Sequence, residues 1–133
     1  GTDGRIYPWG DDPPDPSRAN YGKEKDKWNK HDALAPVGQL KNGKSPYGVY
    51  DMAGNVWEWV NDWYDPDYYA ASPARNPLGP KSGKFKVMRG GSWDSNYDSV
   101  RASFRSWGSP TYAYYFYLGF RCSRGTSSLE GSR

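Results

Sequence analysis

The sequence predicts an α+β domain of short strands and long loops, with little helix. Three observations lead there. Leu, Ile, Val and Phe together supply only 16 of the 133 residues. Against that scarcity stand 7 Trp, 12 Tyr and 4 Phe, and since one aromatic side chain buries roughly 150–250 Å², rings can replace an aliphatic core. The 16 glycines and 11 prolines impose frequent turns. A formal net charge of +3 is too small for the charge-driven disorder that usually accompanies low aliphatic content.

Each element follows from its residues. Residues 1–19 are turn material, because Asp11-Asp12-Pro13-Pro14-Asp15-Pro16 suits neither a helix interior nor a central strand. Residues 20–46 are polar around one apolar island, Ala35-Pro36-Val37. Ser45-Pro46-Tyr47-Gly48 reads as a turn. The run after it predicts a short strand at 49–52, a turn at Ala53-Gly54-Asn55 and a second strand at 56–60. Val56, Trp57, Trp59 and Val60 break strict alternation there, which suits a strand covered on both faces. Residues 61–83 predict an irregular loop with one helical turn near 68–71. Phe85 and Val87 alternate with Lys84 and Lys86, so a strand is expected at 84–89, and Gly90-Gly91 then allow close backbone approach. A strand is expected at 101–105, a loop at 106–117 and a last strand at 118–122. Residues 125–133 form a polar tail.

Several function classes drop out. No run of 18 apolar residues exists, so no membrane-spanning helix is expected. The densest basic stretch, Lys23-Glu24-Lys25-Asp26-Lys27, is interleaved with acids, whereas phosphate backbones need clustered positive charge; no nucleic-acid partner is expected. Cys122 is the only cysteine and His31 the only histidine. That leaves no disulfide, no Cys-x-x-Cys metal site and no Ser/His/Asp triad. Asp62, Asp65 and Asp67 could supply a carboxylate pair, but acids are common in loops. No signal peptide is visible at Gly1 and the start looks processed, so the compartment stays unread, surface or secreted display included.

Two constellations could carry a site. In Asp51-x-x-Gly54-x-Val56-x-Glu58, two carboxylates bracket a glycine turn whose carbonyls can point inward between them. Hard oxygen donors of this mix suit Ca²⁺; the competing reading is that both acids satisfy backbone donors around the turn. The second constellation joins Asp94, Ser95, Asn96, Tyr97, Asp98 and Ser99 to Ser106, Trp107, Gly108, Ser109, Thr111, Tyr112, Ala113, Tyr114, Tyr115, Phe116 and Tyr117. Rigid rings among small polar residues are what antibody binding loops use. Four successive rings at 114–117 cannot all face one core, which favours a binding surface over pure core. Arg89, Arg101, Arg105 and Arg121 could take an anion, but are expected mainly as ion pairs and hydrogen-bond hubs for loop carbonyls.

Five blocks occur in series: Tyr7-Pro8-Trp9-Gly10, Ala35-Pro36-Val37-Gly38, Tyr47-Gly48-Val49-Tyr50-Asp51-Met52-Ala53-Gly54-Asn55-Val56-Trp57-Glu58-Trp59, Arg89-Gly90-Gly91-Ser92-Trp93 and Gly119-Phe120-Arg121. Together they resemble the formylglycine-generating-enzyme (sulfatase-modifying factor) superfamily over residues 5–124. The resemblance implies an irregular C-type-lectin-like fold. It also implies that residues 1–124 are the C-terminal portion of such a domain, whose N-terminal helical segment would be a partner lying outside this chain.

The resemblance further implies a structural calcium held by Asp51, Glu58 and the carbonyls of Gly54 and Val56. A second calcium would lie at Asn20 and Tyr21, with later ligands near Asn29 and His31. The catalytic members use a cysteine pair after the Gly-Gly-Ser-aromatic block to bind copper. Residues 94–100 contain none, so no copper is expected. The C-terminal block also resembles the variable proteins of diversity-generating retroelements, in which adenine mutation diversifies chosen codons; Trp107 alone falls outside the residues so reached. The expected function is therefore non-catalytic ligand binding, with a protein as the favoured ligand and a carbohydrate as the other. The alternative is a modifying oxidoreductase whose catalytic residues lie outside this chain. The framework rings Trp9, Tyr50, Trp57, Trp59, Trp63, Trp93, Phe104 and Phe120 are expected to form the core.

Overall fold

The computed structural model describes residues 3–23, 33–111 and 116–123. Its centre is a four-stranded sheet. Strand β1 is Trp57–Trp63, β2 Lys86–Arg89, β3 Ser106–Gly108 and β4 Leu118–Gly119, in the order β3-β2-β1-β4. The β1–β2 and β2–β3 pairs are antiparallel and β4 runs parallel to β1. Among the described elements, helix is limited to α1, Tyr68–Ala71, a helical position at Ala33, and 3₁₀ turns at Lys41–Gly43 and Tyr97–Val100. The small mixed sheet, short strands and sparse helix are those of the expected class.

Strand β1 forms where Trp57, Trp59, Val60 and Trp63 concentrate strand-favouring side chains. It pairs Glu58 with Arg89 and Trp59 with Met88, then shifts register before Trp63 meets Lys86. In β2 the consecutive residues Val87 and Met88 are both buried, so this strand is covered on both faces. The turn at 53–55 is present: Gly54 and Asn55 have φ of 76° and 67°. Gly54 is obligatory there, because a Cβ would lie 2.4 Å from the Asn20 carbonyl oxygen.

Three expected strands differ. Residues 49–52 do not extend, because Ser45 closes a loop on Val49: the Ser45 N–H donates to the Val49 carbonyl, and the Ser45 hydroxyl accepts from the Val49 N–H. Residues 101–105 form a turn instead. Phe104 N–H donates to the Arg101 carbonyl, and Arg89 takes the Ser103 and Phe104 carbonyls at 2.9 and 2.8 Å, so these carbonyls are spent outside any ladder. The strand forms just after, as β3, within the expected loop. Gly108 lets it seat, since even a methyl there would lie 3.1 Å from the Trp59 ring. The last strand stops at Gly119 rather than 122, because Arg121 turns toward Glu58 and leaves Phe120 exposed.

Among the described residues the buried apolar ones are Tyr7, Ala19, Ala33, Ala53, Trp57, Val87, Met88, Trp93 and Val100. Of the rings expected in the core, Trp57 and Trp93 are buried. Trp9, Tyr50, Trp59, Trp63 and Phe104 are half-buried, and Phe120, 76% exposed, is outside it. Large rings are rarely buried completely, and small buried residues such as Ala53 cluster with them. Tyr7, Ala53 and Val100 form one such cluster, with Trp9 packed against it and stacked on Tyr7 at 5.3 Å.

Candidate functional site

Sheet pairing brings parts of the two candidate loops together. Strand β3 sets Ser106 and Trp107 beside Met88 and Val87. On the other side the Trp57 N–H donates to the Tyr117 carbonyl at 2.8 Å, which ties Tyr117 to the start of β1. Between them a depression of about 460 Å³ is lined by Trp57, Met88, Asp94, Ser95, Ser106, Trp107 and Tyr117. Five of these were read from the sequence as binding residues. The other two, Trp57 and Met88, come from β1 and β2; the sequence points to Trp57 as a core ring and does not single out Met88.

Internal contacts fix the walls of the depression. Trp107 is 48% exposed, yet its ring rests on Phe85 at 4.4 Å and on Tyr64 at 5.9 Å. Arg105 in turn lies between the Tyr64 and Tyr69 rings at 4.9 and 4.5 Å. The Asp94 carboxylate is aimed by fully buried Ser92, whose hydroxyl donates to Oδ1 at 2.5 Å. Ser95 is pinned by accepting the Ser92 N–H on its hydroxyl at 2.9 Å.

Other candidate residues lie elsewhere. Asn96 caps the 3₁₀ turn by accepting the Ser99 N–H. Tyr97 is exposed on that turn, and the Asp98 carbonyl takes Arg101 Nε at 3.0 Å; none of 96–99 lines the depression. Gly108 is buried against Trp59 and acts as framework. Ser109 and Thr111 bond to each other at 2.9 Å. Phe116 is half-exposed and meets Tyr117 edge-on at 5.4 Å. Tyr112, Ala113, Tyr114 and Tyr115 lie outside the described residues, as do Asn29 and His31.

The 51–58 turn is a hub of backbone acceptors. Asp51 Oδ2 accepts the Gly38 N–H at 2.7 Å. Both Glu58 oxygens engage Arg121, which also donates to the Tyr50 and Asp51 carbonyls at 3.0 and 2.8 Å. This pairing holds the Arg121 guanidinium above its ordinary pKa, with the Glu58 hydrogen bonds as the leading cause. Asn20, the second-site candidate, donates to the Ala33 carbonyl and to Asn55 Oδ1 at 2.8 and 2.9 Å, and the Tyr21 hydroxyl donates to the Pro14 carbonyl. Among the described residues no three His, Cys, Asp or Glu side chains gather as a metal cluster. Arg89, Arg101, Arg105 and Arg121 all donate to loop carbonyls, as the sequence suggested. Asp65 Oδ1 accepts the Asp67 N–H at 2.8 Å, a turn contact.

Comparison with known proteins agrees with this architecture. A formylglycine-generating enzyme of Streptomyces coelicolor is 38% identical over 143 aligned positions, covering 99% of this chain and 44% of the enzyme, so the chain spans less than half that relative's length. PvdO from Pseudomonas aeruginosa superposes with a TM-score of 0.62 at 28% identity, covering 78% of this chain and 38% of that one. Treponema denticola variable protein 1 superposes with a TM-score of 0.59 at 31% identity, covering 78% and 34%. The profile of the sulfatase-modifying factor enzyme 1-like domain matches residues 1–126, and the chain belongs to that family.

Proposed function

We propose that this chain is a ligand-binding domain that captures a protein ligand without transforming it. The observation that carries the reading is the depression itself, where Asp94 and Ser95 from one candidate loop meet Ser106, Trp107 and Tyr117 from the other. Rigid rings supply contact area at small entropic cost, and the hydroxyls and carboxylate supply specificity. Cys122, the sole cysteine, follows β4 and lies outside this lining. The likeness to a protein named as variable supports diversification of this face, as in retroelement variable proteins.

The test is genomic and then biochemical. A nearby reverse transcriptase gene and a near-copy of codons 94–121, differing mostly at adenines, is the expected finding. Related isolates should then vary at 94, 95, 106 and 117 while Gly54, Arg89 and Arg121 stay constant. The enzyme relative favours one other reading, a modifying oxidase completed by residues outside this chain. Stoichiometric Cu(I)–thiolate binding in a spectroscopic titration would establish it against ours.

The scaffold reading includes calcium at Asp51, Glu58 and the Gly54 and Val56 carbonyls. In its favour, Asp51 Oδ1 and those two carbonyl oxygens accept no hydrogen bond from any described residue. Glu58 is the contested ligand, since Arg121 already engages it. Calcium would tie the turn to β1 and add ligand-linked stability. Chelation should lower the melting temperature, and Asp51→Ala should remove that dependence; an unchanged melting curve on chelation would discard the site.

A further inference from the structure

The depression has an electrostatic character that the chain as a whole does not share. The chain carries a net +3. Among the described lining residues Asp94 is the one that carries charge; the rest offer three rings, one of them phenolic, a thioether and two serine hydroxyls. The carboxylate is half used from within. Its Oδ1 accepts the Ser92 hydroxyl, and no described residue donates to Oδ2. Because Ser92 is fully buried, that bond fixes the carboxylate's direction. The Trp107 ring is fixed too, by Phe85 and Tyr64.

A fixed carboxylate oxygen beside aromatic rings attracts a cation twice, by charge and through the ring quadrupole. An anionic ligand would be repelled. A neutral apolar one would strip water from the carboxylate with no return bond, which is costly. Resting on the ligand-binding reading above, we propose that the depression takes a lysine or arginine side chain presented by a protein partner. Its cationic head meets Asp94 Oδ2, and its alkyl stem lies along Met88 and Trp107. Long basic side chains bury their stems against apolar surface in this way.

The experiment is selection of a displayed random-peptide library on the full chain, run in parallel on Asp94→Asn and Trp107→Ser. Asparagine keeps an oxygen to accept the Ser92 hydroxyl, and thermal melts verify that each variant is folded. Wild type should enrich peptides carrying Lys or Arg next to apolar residues. Nonspecific attraction to a +3 chain would favour acidic peptides instead. In Asp94→Asn the basic enrichment should fall about tenfold or more, the scale of one charge-assisted hydrogen bond. Trp107→Ser should recover only background. Wild-type peptides without basic enrichment, or the same enrichment in Asp94→Asn, overturn the cation inference and leave ligand binding standing. Recovery of no peptide above background by wild type overturns both.

Discussion

Two successive residues of β1 belong to two different worlds. Trp57 lines the depression, and Glu58, pointing to the opposite side of the strand, binds Arg121. On the Glu58 side, Arg121 serves one carboxylate and two carbonyls. In the turn before β1, Asn55 accepts from Asn20 and Ala35 and donates to Ala35. On the Trp57 side, a half-exposed Trp107 and one oxygen of Asp94 remain available. Framework and depression are thus chemically separable across a single strand. Long-range hydrogen bonds hold the one, so residues of the other can change without unfolding it.

Substitutions test that separation. Gly54→Ala should have the largest effect, a loss of about 4 kcal/mol or more, because the added Cβ meets backbone oxygen at 2.4 Å in a residue with φ of 76°. Chemical denaturation measures it; a loss below 1 kcal/mol would dissolve the claim that this turn is the framework's anchor. Asn55→Ala removes three side-chain hydrogen bonds, each with a net value of roughly 1 kcal/mol. It also puts alanine at φ 67°, so a loss of about 2–3 kcal/mol is expected in the same assay.

Arg121→Ala should cost less, about 1–2 kcal/mol, since the pair is partly solvated, with side chains 38% and 20% exposed. High salt should reduce that difference. In the depression, Trp107→Ser should lower stability by only about 1 kcal/mol, the scale of its ring contacts, and under the proposed function it should abolish ligand capture. Equal stability losses at Asn55 and Trp107 would break the comparison.

The smallest effect is a pH limb. The Ser17 hydroxyl and N–H hold the Asp15 carboxyl below its ordinary 3.8. A depressed folded pKa contributes stability that is present above the unfolded value and lost as pH falls through the folded one. Stability should therefore decline as pH drops below 3.8, and Asp15→Asn should flatten part of that decline in an acid titration followed by tryptophan fluorescence.

Local chemistry made much of this legible. The Ala53-Gly54-Asn55 turn, α1 and β2 could be read because each depends on neighbours in sequence: a glycine's freedom, a short Tyr-Ala run, an alternation of Lys with Phe and Val. The arginines could be read as carbonyl hubs from their residue type and setting. The strand at 49–52 misled because Val49-Tyr50 has strand chemistry, while Ser45 captures Val49. Strand β3 was hidden because its reason is Gly108 seated under Trp59, a partner 49 positions away in the chain.

By itself the sequence determined the kind of domain: ring-rich, turn-rich, of the sulfatase-modifying type, with an aromatic and polar block set apart from the framework. It could not say which members of that block meet. Only the tertiary structure chose Asp94, Ser95, Ser106, Trp107 and Tyr117 and turned 96–99 and Gly108 to other tasks. It also recruited Trp57 and Met88 to the same wall. The reason is physical: a pocket is a property of sheet order and register, and both are settled by pairings between residues distant in sequence.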